Sequence, residues 1–412
     1  MVTLATACAG TTTATPPANG ETDWPMFRGN LLRDGHAGGS SLTADNIGKL
    51  NQVWSHDLDG PIEGSPVVVG HTVIALTRGG EVAAFDIASG AAVWSHTGYG
   101  DFAGSPAVAG GLVVAGTVTG HVYAFVLVDG RMRWDWSAPG QQPAIWSSPA
   151  VFGQTVVVGI GSQYGDSPLE AGRLAGLDLS TGNQKWIFCV EDACAPGGGV
   201  WSSVAVDSAG RGIVGTANPN DGLLEFDVGS GRRLWATSLH PDAGRDLDVG
   251  ATPAIIIGAS RESVAVGSNG GMFAVLDASG GTVIWSRFLV AGSAVHGLIA
   301  SPASDGASIY VGSASPPTGI FALDAQAGAI QWEHNTDLPV YSAPVVASHV
   351  LLFGIGDALG AVKGGKLIAL ATTDGAVLWS YDTQDPVLGS PALSGKYVVA
   401  GTAGGSLMAF SL

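Results

Sequence analysis

The chain has 412 residues, of which 12% are charged and 63 are glycine, and its formal net charge is −17. Such an acidic surface repels phosphate backbones, so nucleic-acid binding is not expected as a main function. Three cysteines are too few for a disulfide scaffold, and without a Cys-x-x-Cys-His motif no c-type haem is attached. No stretch approaches 18 uninterrupted apolar residues, which argues against a membrane-spanning helix.

The first 22 residues have the composition of an export remnant and a tether. Residues 1–7 are small and apolar, Cys8 follows, and residues 9–22 are rich in Thr, Ala, Pro and Gly. A tract of this kind buries too little apolar surface to order itself. Two interpretations fit: a lipoprotein signal in which Cys8 is lipidated, or a trimmed signal peptide in which Cys8 has no role. Both predict an extracytoplasmic protein, and only a lipid anchor would attach it to a membrane.

The remaining residues, 23–412, consist of one repeat. Five segments read D-x-x-x-G-x-x-x-W, and two more keep Gly and Trp but have Val126 or Ala371 in place of Asp. The seven repeat tryptophans are Trp94, Trp134, Trp186, Trp235, Trp285, Trp332 and Trp379. Their spacing of 40 to 52 residues leaves room for four short strands per repeat. This is typical of a β-propeller, whose blades must stack in a closed ring to bury their faces.

A second feature, the opening of each blade, fixes the blade count. Eight Ser-Pro pairs or close variants precede short β-branched runs; they begin at Ser65, Ser105, Ser148, Ser203, Thr252, Ser301, Ala343 and Ser390. The last unit has room for only three strands, whereas residues 50–54 read as an outer strand with no blade before it. We therefore predict an all-β, eight-bladed propeller of four-stranded antiparallel blades, forming a single domain over residues 23–412. The N-terminal strand should complete the C-terminal blade, and the repeat tryptophans should pack between blades instead of binding a ligand.

The repeat, the count of eight and the segment DWPMFRGN at residues 23–30 resemble the propeller family of the pyrroloquinoline quinone (PQQ) enzymes. That family includes quinoprotein alcohol and polyvinyl-alcohol dehydrogenases, and a cofactor-free branch, the outer-membrane assembly scaffold lipoprotein. The resemblance implies one of two functions. One is an extracytoplasmic PQQ- and metal-dependent alcohol dehydrogenase that passes electrons to a separate carrier. The other is an envelope scaffold that binds proteins; in either case we expect a monomer.

Two residues match the positions that contact the cofactor in the enzymes. Glu63 lies in an E-G-S-P opening whose Glu contacts the quinone, and Trp201 follows a glycine-rich stretch whose tryptophan forms the aromatic floor. Three family features are absent: the vicinal cysteine pair, an arginine near Ser105, and the basic residue that would fall near Asn269. Because residues 146–148 also read Trp-Ser-Ser, repeat drift is an alternative explanation for the Trp201 motif.

Four residues match the metal ligands, and one of them also matches the catalytic base. Asn218 lies in a G-T-A-N-P segment that resembles one ligand position. Residues 240–248 (HPDAGRDLD) resemble the loop in which Asp246 is the base and a ligand, and Asp248 an added ligand for larger ions. Glu170 is the candidate for a further ligand carboxylate, and the ion would be Ca²⁺ or a lanthanide. Asn218 also fits a common Asn-Pro turn, and Asp246 and Asp248 also fit solvated acids of a loop. The metal site is therefore expected because these motifs occur together, in successive blades.

Cys189 and Cys194 flank a gap of four residues. A gap of this size in a loop allows the two Cα atoms to come within disulfide range, and an exported protein meets oxidising conditions. We predict that they are bonded and shape the loop that leads to Trp201. The alternative is two separate buried thiols.

Overall fold

The computed structural model describes residues 23–240, 246–258 and 261–412; Cys8 and the predicted tether lie outside them. In this part of the chain eight antiparallel sheets form an eight-bladed propeller, so the predicted fold is confirmed. Each blade runs from a short, buried inner strand to a half-exposed outer strand, and the inner strands contact each other around the ring. Strand β1 spans Asn51–Asp57.

The other strands follow blade by blade. Blade 1 holds β2 to β5, at Val67–Val69, Thr72–Leu76, Val82–Asp86 and Ala92–His96. Blade 2 holds β6 to β9, at Ala107–Ala109, Leu112–Gly116, His121–Val126 and Met132–Ser137. Blade 3 holds β10 to β14, at Pro143–Ala144, Ala150–Phe152, Thr155–Ser162, Arg173–Asp178 and Gln184–Cys189. Blade 4 holds β15 to β18, at Ala205–Val206, Arg211–Thr216, Gly222–Asp227 and Arg233–Ser238.

The second half of the ring repeats this order. Blade 5 holds β19 to β22, at Ala254–Ile257, Glu262–Gly267, Met272–Asp277 and Val283–Phe288. Blade 6 holds β23 to β26, at Ala303–Ser304, Ser308–Ser313, Gly319–Asp324 and Ile330–Asn335. Blade 7 holds β27 to β30, at Val345–Ala347, Val350–Gly356, Gly365–Ala371 and Val377–Asp382. Blade 8 holds β31 to β33, at Ala392–Ser394, Tyr397–Gly401 and Ser406–Ser411.

The ring is closed by a blade built from both ends of the chain. Strand β1 pairs antiparallel with β33, with Trp54 opposite Ala409. The predicted role of the N-terminal strand is thus confirmed. Blade 3 alone among the described blades has a fifth strand, because the two-residue β10 pairs with the far end of β12. The described residues also contain short 3-10 helices at Ile47–Lys49 and Asp192–Cys194, and none of their helices is long and apolar enough to cross a membrane.

Tryptophans on the outer strands connect neighbouring blades through their indole N–H groups. The indole N–H of Trp54 donates to the carbonyl of Ile87 in the neighbouring blade at 2.8 Å. Gly90 of that blade has φ +72°, and a Cβ there would lie 2.7 Å from the Trp54 ring, so glycine is needed both for the turn and for the close approach. Equivalent indole bonds are made by Trp94, Trp134, Trp186, Trp235, Trp285 and Trp332. The repeated glycine and tryptophan of the sequence are therefore one interlocking contact.

Residues 23–41, which we call the strap, run around one end of the ring axis. The strap forms backbone hydrogen bonds with seven blades in chain order, through Val68, Val108, Val206, Ile255, Ser304, Val346 and Gly395. Blade 3 is reached instead by a side chain, since Arg33 donates to the carbonyl of Pro149 at 3.0 Å. The strap therefore closes this end of the propeller.

Two arginines of the strap fill the closed end of the axis. Arg28 and Arg33 are both 0% exposed, although they carry no carboxylate partner within ion-pair distance in the described structure. Their guanidinium groups donate instead to the carbonyls of Pro149, Val204, Pro302 and Pro344. Burial lowers the pKa of each arginine to about 9, so both remain charged at neutral pH. The guanidinium groups thus hold four blade openings together.

Candidate functional site at the propeller mouth

The open end of the ring, which we call the mouth, carries the residues predicted to bind the cofactor and the metal. Because neighbouring strands are antiparallel, two kinds of loop emerge there: those between blades, and those between the second and third strand of each blade. Glu63, Trp201, Asp246 and Asp248 lie on loops between blades. Glu170 and Asn218 lie on loops within blades 3 and 4. The strap lies at the opposite end.

Four of the predicted residues meet in one hydrogen-bonded cluster. The indole N–H of Trp201 donates to Asp248 Oδ2 at 2.7 Å, and the backbone N–H of Asn218 donates to Asp248 Oδ1 at 3.3 Å. The side-chain amide of Asn218 donates to Asp246 Oδ1 at 3.1 Å. Asp248 is buried, whereas Asp246 is exposed. The structure therefore brings together residues from two blades and two kinds of loop.

The electrostatics of this cluster favour a cation. Burial raises the pKa of Asp248 to about 6; the Trp201 N–H opposes this shift, and the nearby Asp246 carboxylate adds to it. Asn218 Oδ1 is buried and has no hydrogen-bond partner among the described residues. Two carboxylates and an unpartnered amide oxygen are ligands that Ca²⁺ and lanthanide ions accept. The residues present therefore fit a hard cation.

The number of acidic groups limits how such an ion would be held. Within residues 23–240, 246–258 and 261–412, no three His, Cys, Asp or Glu side chains lie close enough together to share a metal ion. Amide oxygens and water would have to complete the coordination shell around Asp246 and Asp248. Residues 241–245, which complete the predicted acidic loop, lie outside the described residues.

Trp201 lies against backbone at the wall of the central cavity. A Cβ at Gly250 would lie 1.6 Å from the edge of the indole ring, so only glycine at this position allows the ring to lie there. The cavity has a volume of about 170 Å³, and Phe27, Trp146 and Tyr341 also line it. An indole backed by Gly250 and facing the cavity is a suitable floor for a flat ring.

The Ser-Pro openings of the blades line the central cavity and are hydrogen-bonded to one another. The backbone N–H of Ser65 donates to the hydroxyl of Ser105 at 2.8 Å, and five of the other seven openings repeat this bond toward the next blade. The further donors in this ring are Ser105, Ser148, Ser203, Thr252 and Ser390. Ala343 lacks a hydroxyl and interrupts the ring, so the carbonyl of Ala343 accepts from Ser390 Oγ instead. The serines of the openings are therefore structural.

Glu63 lines the cavity in an ion pair that the sequence did not predict. Its Oε2 lies 2.6 Å from Arg78 Nη1, and Arg78 also pairs with Asp101 and lies over the ring of Trp146 at 5.5 Å. Arg78 belongs to blade 1, whereas the family resemblance places an arginine near Ser105 of blade 2. The four contacting residues come from different loops, so no spacing in the sequence connects them.

Glu170 is placed differently from the other predicted ligands. Its carboxylate Oε1 accepts from the backbone N–H groups of Gln141 and Gln142, both at 2.7 Å, in the loop between blades 2 and 3. The carboxylate is buried, and its backbone carbonyl accepts from Gly197 N at 2.9 Å. The structure thus joins Glu170 to the Trp201 loop through its backbone, while its side chain holds another loop.

Asn269 lies at the position where the family resemblance places a basic residue. It is buried, its backbone N–H donates to the carbonyl of Asp248 at 2.9 Å, and its side-chain amide donates to Ala294 O at 2.8 Å. Its Oδ1 has no hydrogen-bond partner among the described residues. Asn269 therefore contacts Asp248 through its backbone and carries a second unpartnered amide oxygen, at a position where the sequence showed only that the basic residue of the family is absent.

Cys189 and Cys194 form a disulfide with a Cα–Cα distance of 5.2 Å. The bond closes a short loop between blades 3 and 4, seven residues before Trp201. The following residues, Gly197 and Gly198, have φ of +105° and +65°, which few residues other than glycine adopt. The disulfide loop therefore leads directly into the glycine-rich approach to Trp201.

Comparison with known proteins identifies the family. A model of PQQ-like repeats, described as "Outer membrane protein assembly factor BamB", matches residues 42–193, 195–311, 220–362 and 293–412. The chain belongs to this family. Two curated relatives are named polyvinylalcohol dehydrogenase: one from Sphingopyxis sp. (strain 113P3) is 27% identical, and one from Pseudomonas sp. is 24% identical. Each alignment covers 39% of this chain and 33% of the relative, so the match spans about a third of the length of these relatives.

Solved structures of both branches have the same fold. A europium-containing methanol dehydrogenase has a TM-score of 0.83 at 18% identity, covering 95% of this chain and 98% of that chain. The quinohemoprotein alcohol dehydrogenase of Comamonas testosteroni has a TM-score of 0.82 at 17% identity, with 95% and 80% covered. BamB from Moraxella catarrhalis has a TM-score of 0.66 at 18% identity, with 88% and 98% covered. At these identities the likeness concerns the fold alone.

Proposed function

We propose that this protein is an extracytoplasmic quinoprotein of the alcohol dehydrogenase type, which binds PQQ and either Ca²⁺ or a lanthanide ion at the mouth. The observation that supports this most is the meeting of Trp201, Asn218, Asp246 and Asp248 in one hydrogen-bonded cluster beside the central cavity. The two relatives named polyvinylalcohol dehydrogenase support an alcohol as the substrate. Export and lipidation of Cys8 are part of the same proposal.

Each residue of the cluster has a different proposed role, which follows from its exposure and its hydrogen bonds. Asn218 Oδ1 and the two aspartates would hold the cation, and Trp201 would support the quinone ring. PQQ, when bound, supplies an electrophilic quinone that accepts hydride from an alcohol, and its electrons then pass to a separate acceptor. Asp248 is buried and already accepts two hydrogen bonds, so it orients Trp201 and Asn218.

Asp246 is the residue of the cluster that is free to move a proton. Its carboxylate is exposed, and one oxygen accepts from Asn218 Nδ2. The other oxygen can accept the hydroxyl proton of an alcohol bound at the mouth. The role of general base therefore goes to Asp246 and not to Asp248.

Glu63 and Arg78 would form the other edge of the site. Arg78 bridges Glu63 and Asp101 and lies over Trp146, which lines the cavity. The position of Asn269 carries no positive charge, whereas Arg78 contacts both Glu63 and Trp146 in the wall of the cavity. Its two carboxylate partners neutralise it in the ligand-free protein, so an anionic cofactor would have to compete with them.

A second candidate function, a cofactor-free envelope scaffold that binds other proteins, is favoured by two observations. The central cavity, at about 170 Å³, is smaller than the roughly 300–1,000 Å³ that is usual for small-molecule sites. Arg78 is also fully paired, as described above. The family description names an outer-membrane assembly factor, which is consistent with such a role.

Reconstitution separates the two candidates. Purified protein would be incubated with PQQ and either Ca²⁺ or La³⁺, and dye reduction would be followed with a range of primary, secondary and polymeric alcohols. The proposed enzyme reduces the dye only when PQQ, the cation and an alcohol are all present, and the Asp246→Asn variant serves as the matched control. Dye reduction that is absent under every combination, or equal in the control variant, contradicts the proposed enzyme.

A further inference from the structure

The loop closed by the disulfide has a backbone that it would not adopt unaided. Cys189 ends β14, and its bond to Cys194 encloses four residues. Ala193 and Cys194 have φ of 52° and 53°, so two successive residues other than glycine are in the left-handed region. Such conformations persist only where other contacts impose them. The disulfide supplies that contact covalently.

Glu191, inside this closed loop, contacts the segment that presents Asn218 and also the glycine-rich segment that is hydrogen-bonded to it. Its Oε1 accepts a hydrogen bond from Asn220 Nδ2 at 2.7 Å. Gly198 packs against the same side chain, since a Cβ at Gly198 would lie 3.0 Å from Glu191 Oε1. The backbone N–H of Gly198 in turn donates to the carbonyl of Asn218. Glu191 therefore connects the disulfide loop to Asn218 through two independent contacts.

We propose that Glu191 is a positioning residue for the cation site, and that the Cys189–Cys194 disulfide makes the affinity of this site sensitive to redox conditions. The inference depends on the proposed function, because it concerns the cation that Asn218 would bind. A dithiol reductant would break the S–S bond by giving two electrons and two protons to Cys189 and Cys194, and would itself become a disulfide. Cys194 is exposed, so a reductant can reach it. Once reduced, the loop relaxes and Glu191 no longer fixes the position of Asn218.

Terbium binding tests the effect on affinity. Tb³⁺ stands in for the cation, and its luminescence is sensitised by nearby tryptophan, so titration of the oxidised and the dithiol-treated protein gives both dissociation constants. We expect reduction to weaken binding by about 10–100-fold, the usual effect of losing support behind a metal ligand. The Cys189→Ser/Cys194→Ser variant should bind as weakly as the reduced protein and should not respond to the dithiol. Glu191→Ala should also weaken binding, whereas Asp192→Asn, on the exposed side of the same loop, should not.

Amide hydrogen exchange tests the positioning without any metal. Reduction should speed exchange in residues 197–201 and 217–222 and leave β29, in blade 7, unchanged. If thiol titration finds two new thiols while exchange in both segments stays the same, the positioning claim is wrong. Faster exchange with unchanged Tb³⁺ affinity would refute the redox claim. If the oxidised wild type binds no Tb³⁺, the proposed cation site fails, and hydrogen exchange alone then decides the role of the loop.

Discussion

Trp201 and Asp248 are joined by a hydrogen bond of 2.7 Å between the indole N–H and a carboxylate oxygen. This bond makes the aromatic floor and the acidic pair one structural unit, although the two residues come from successive loops between blades. Any change to Asp248 is therefore expected to affect both the cation and the ring that lies beside it. The predictions for the mouth follow from this connection.

The first prediction concerns the cation ligands. Asn218→Ala and Asp248→Ala should each weaken Tb³⁺ or La³⁺ binding, because each removes an oxygen that has few substitutes at this site. Added cation should partly restore activity in both variants. Asn220 lies on the same loop and is not a proposed ligand. The Asn220→Ala variant therefore measures how much the cation affinity falls when only the position of this loop is disturbed. Unchanged affinity in both ligand variants would contradict the assignment.

The second prediction separates the base from the binding residues. Asp246→Asn should reduce turnover by about 10²–10⁴-fold, the usual contribution of a positioned acid–base group, while PQQ binding survives. Asp246 has φ of 56°, and asparagine is among the residues that tolerate this conformation, so the loop should keep its shape. Turnover and PQQ titration of the same preparation check both parts. A variant that keeps wild-type turnover would exclude Asp246 as the base.

Much of the fold could be predicted because each blade repeats the same local contacts. The spacing of glycine and tryptophan reflects one contact, in which an indole lies over the glycine of the next blade, as for Trp54 and Gly90. Residues 50–54 read as an outer strand with no blade before them, and the last repeat has room for only three strands. Because every blade needs four strands, this pattern indicated how the ring is closed. The roles of Arg28 and Arg33 were not predictable, since their acceptors are backbone carbonyls that any sequence provides.

The site was predictable only where a short motif carries a side chain to the mouth. Asn218 and Asp248 come from such motifs, and the structure brings them together. Arg78 was missed because its partners lie on different loops, at no fixed spacing from it. The position of the Glu170 side chain was likewise hidden, because it is determined by backbone N–H groups of another loop.

The third prediction concerns a buried carboxyl at the interface of blades 4 and 5. Glu225 is 2% exposed, and burial raises its pKa to about 7, while Arg211 opposes and Asp207 adds to the shift. The folded state therefore holds this proton more tightly than the unfolded chain does. The free energy of unfolding should fall as the pH rises from about 4.5 to about 7 and level off above that range, a loss of about 1–3 kcal/mol.

Substitution isolates this contribution. Glu225→Gln should make this fall smaller, leaving the part that comes from the raised pKa of Asp248, and should be more stable than the wild type at pH 8, as measured by urea unfolding at several pH values. Glu333→Gln, on an exposed position of β26, is the matched control and should follow the wild-type curve. A Glu225→Gln variant with the same slope as the wild type would contradict the prediction.

The fourth prediction concerns the strap. Arg33→Met should lower the free energy of unfolding by about 2–5 kcal/mol, because it leaves buried carbonyls of Pro149 and Val204 without a donor. Arg131→Met, whose side chain is 77% exposed, should change it by no more than about 0.5 kcal/mol. Urea unfolding of both variants beside the wild type measures the difference. Equal stability of the two variants would show that the strap does not hold the ring.

The central claim is that the mouth binds PQQ with a cation, and isothermal titration of the wild-type protein with PQQ tests it most directly. With Ca²⁺ or La³⁺ present, we predict saturable binding of one PQQ per chain, weaker binding when the cation is removed, and much weaker binding by Trp201→Ala, which lacks the aromatic floor. Trp94→Phe, at a blade interface, should bind as the wild type does. Absence of any detectable binding with either cation would contradict the enzyme and leave the scaffold as the function.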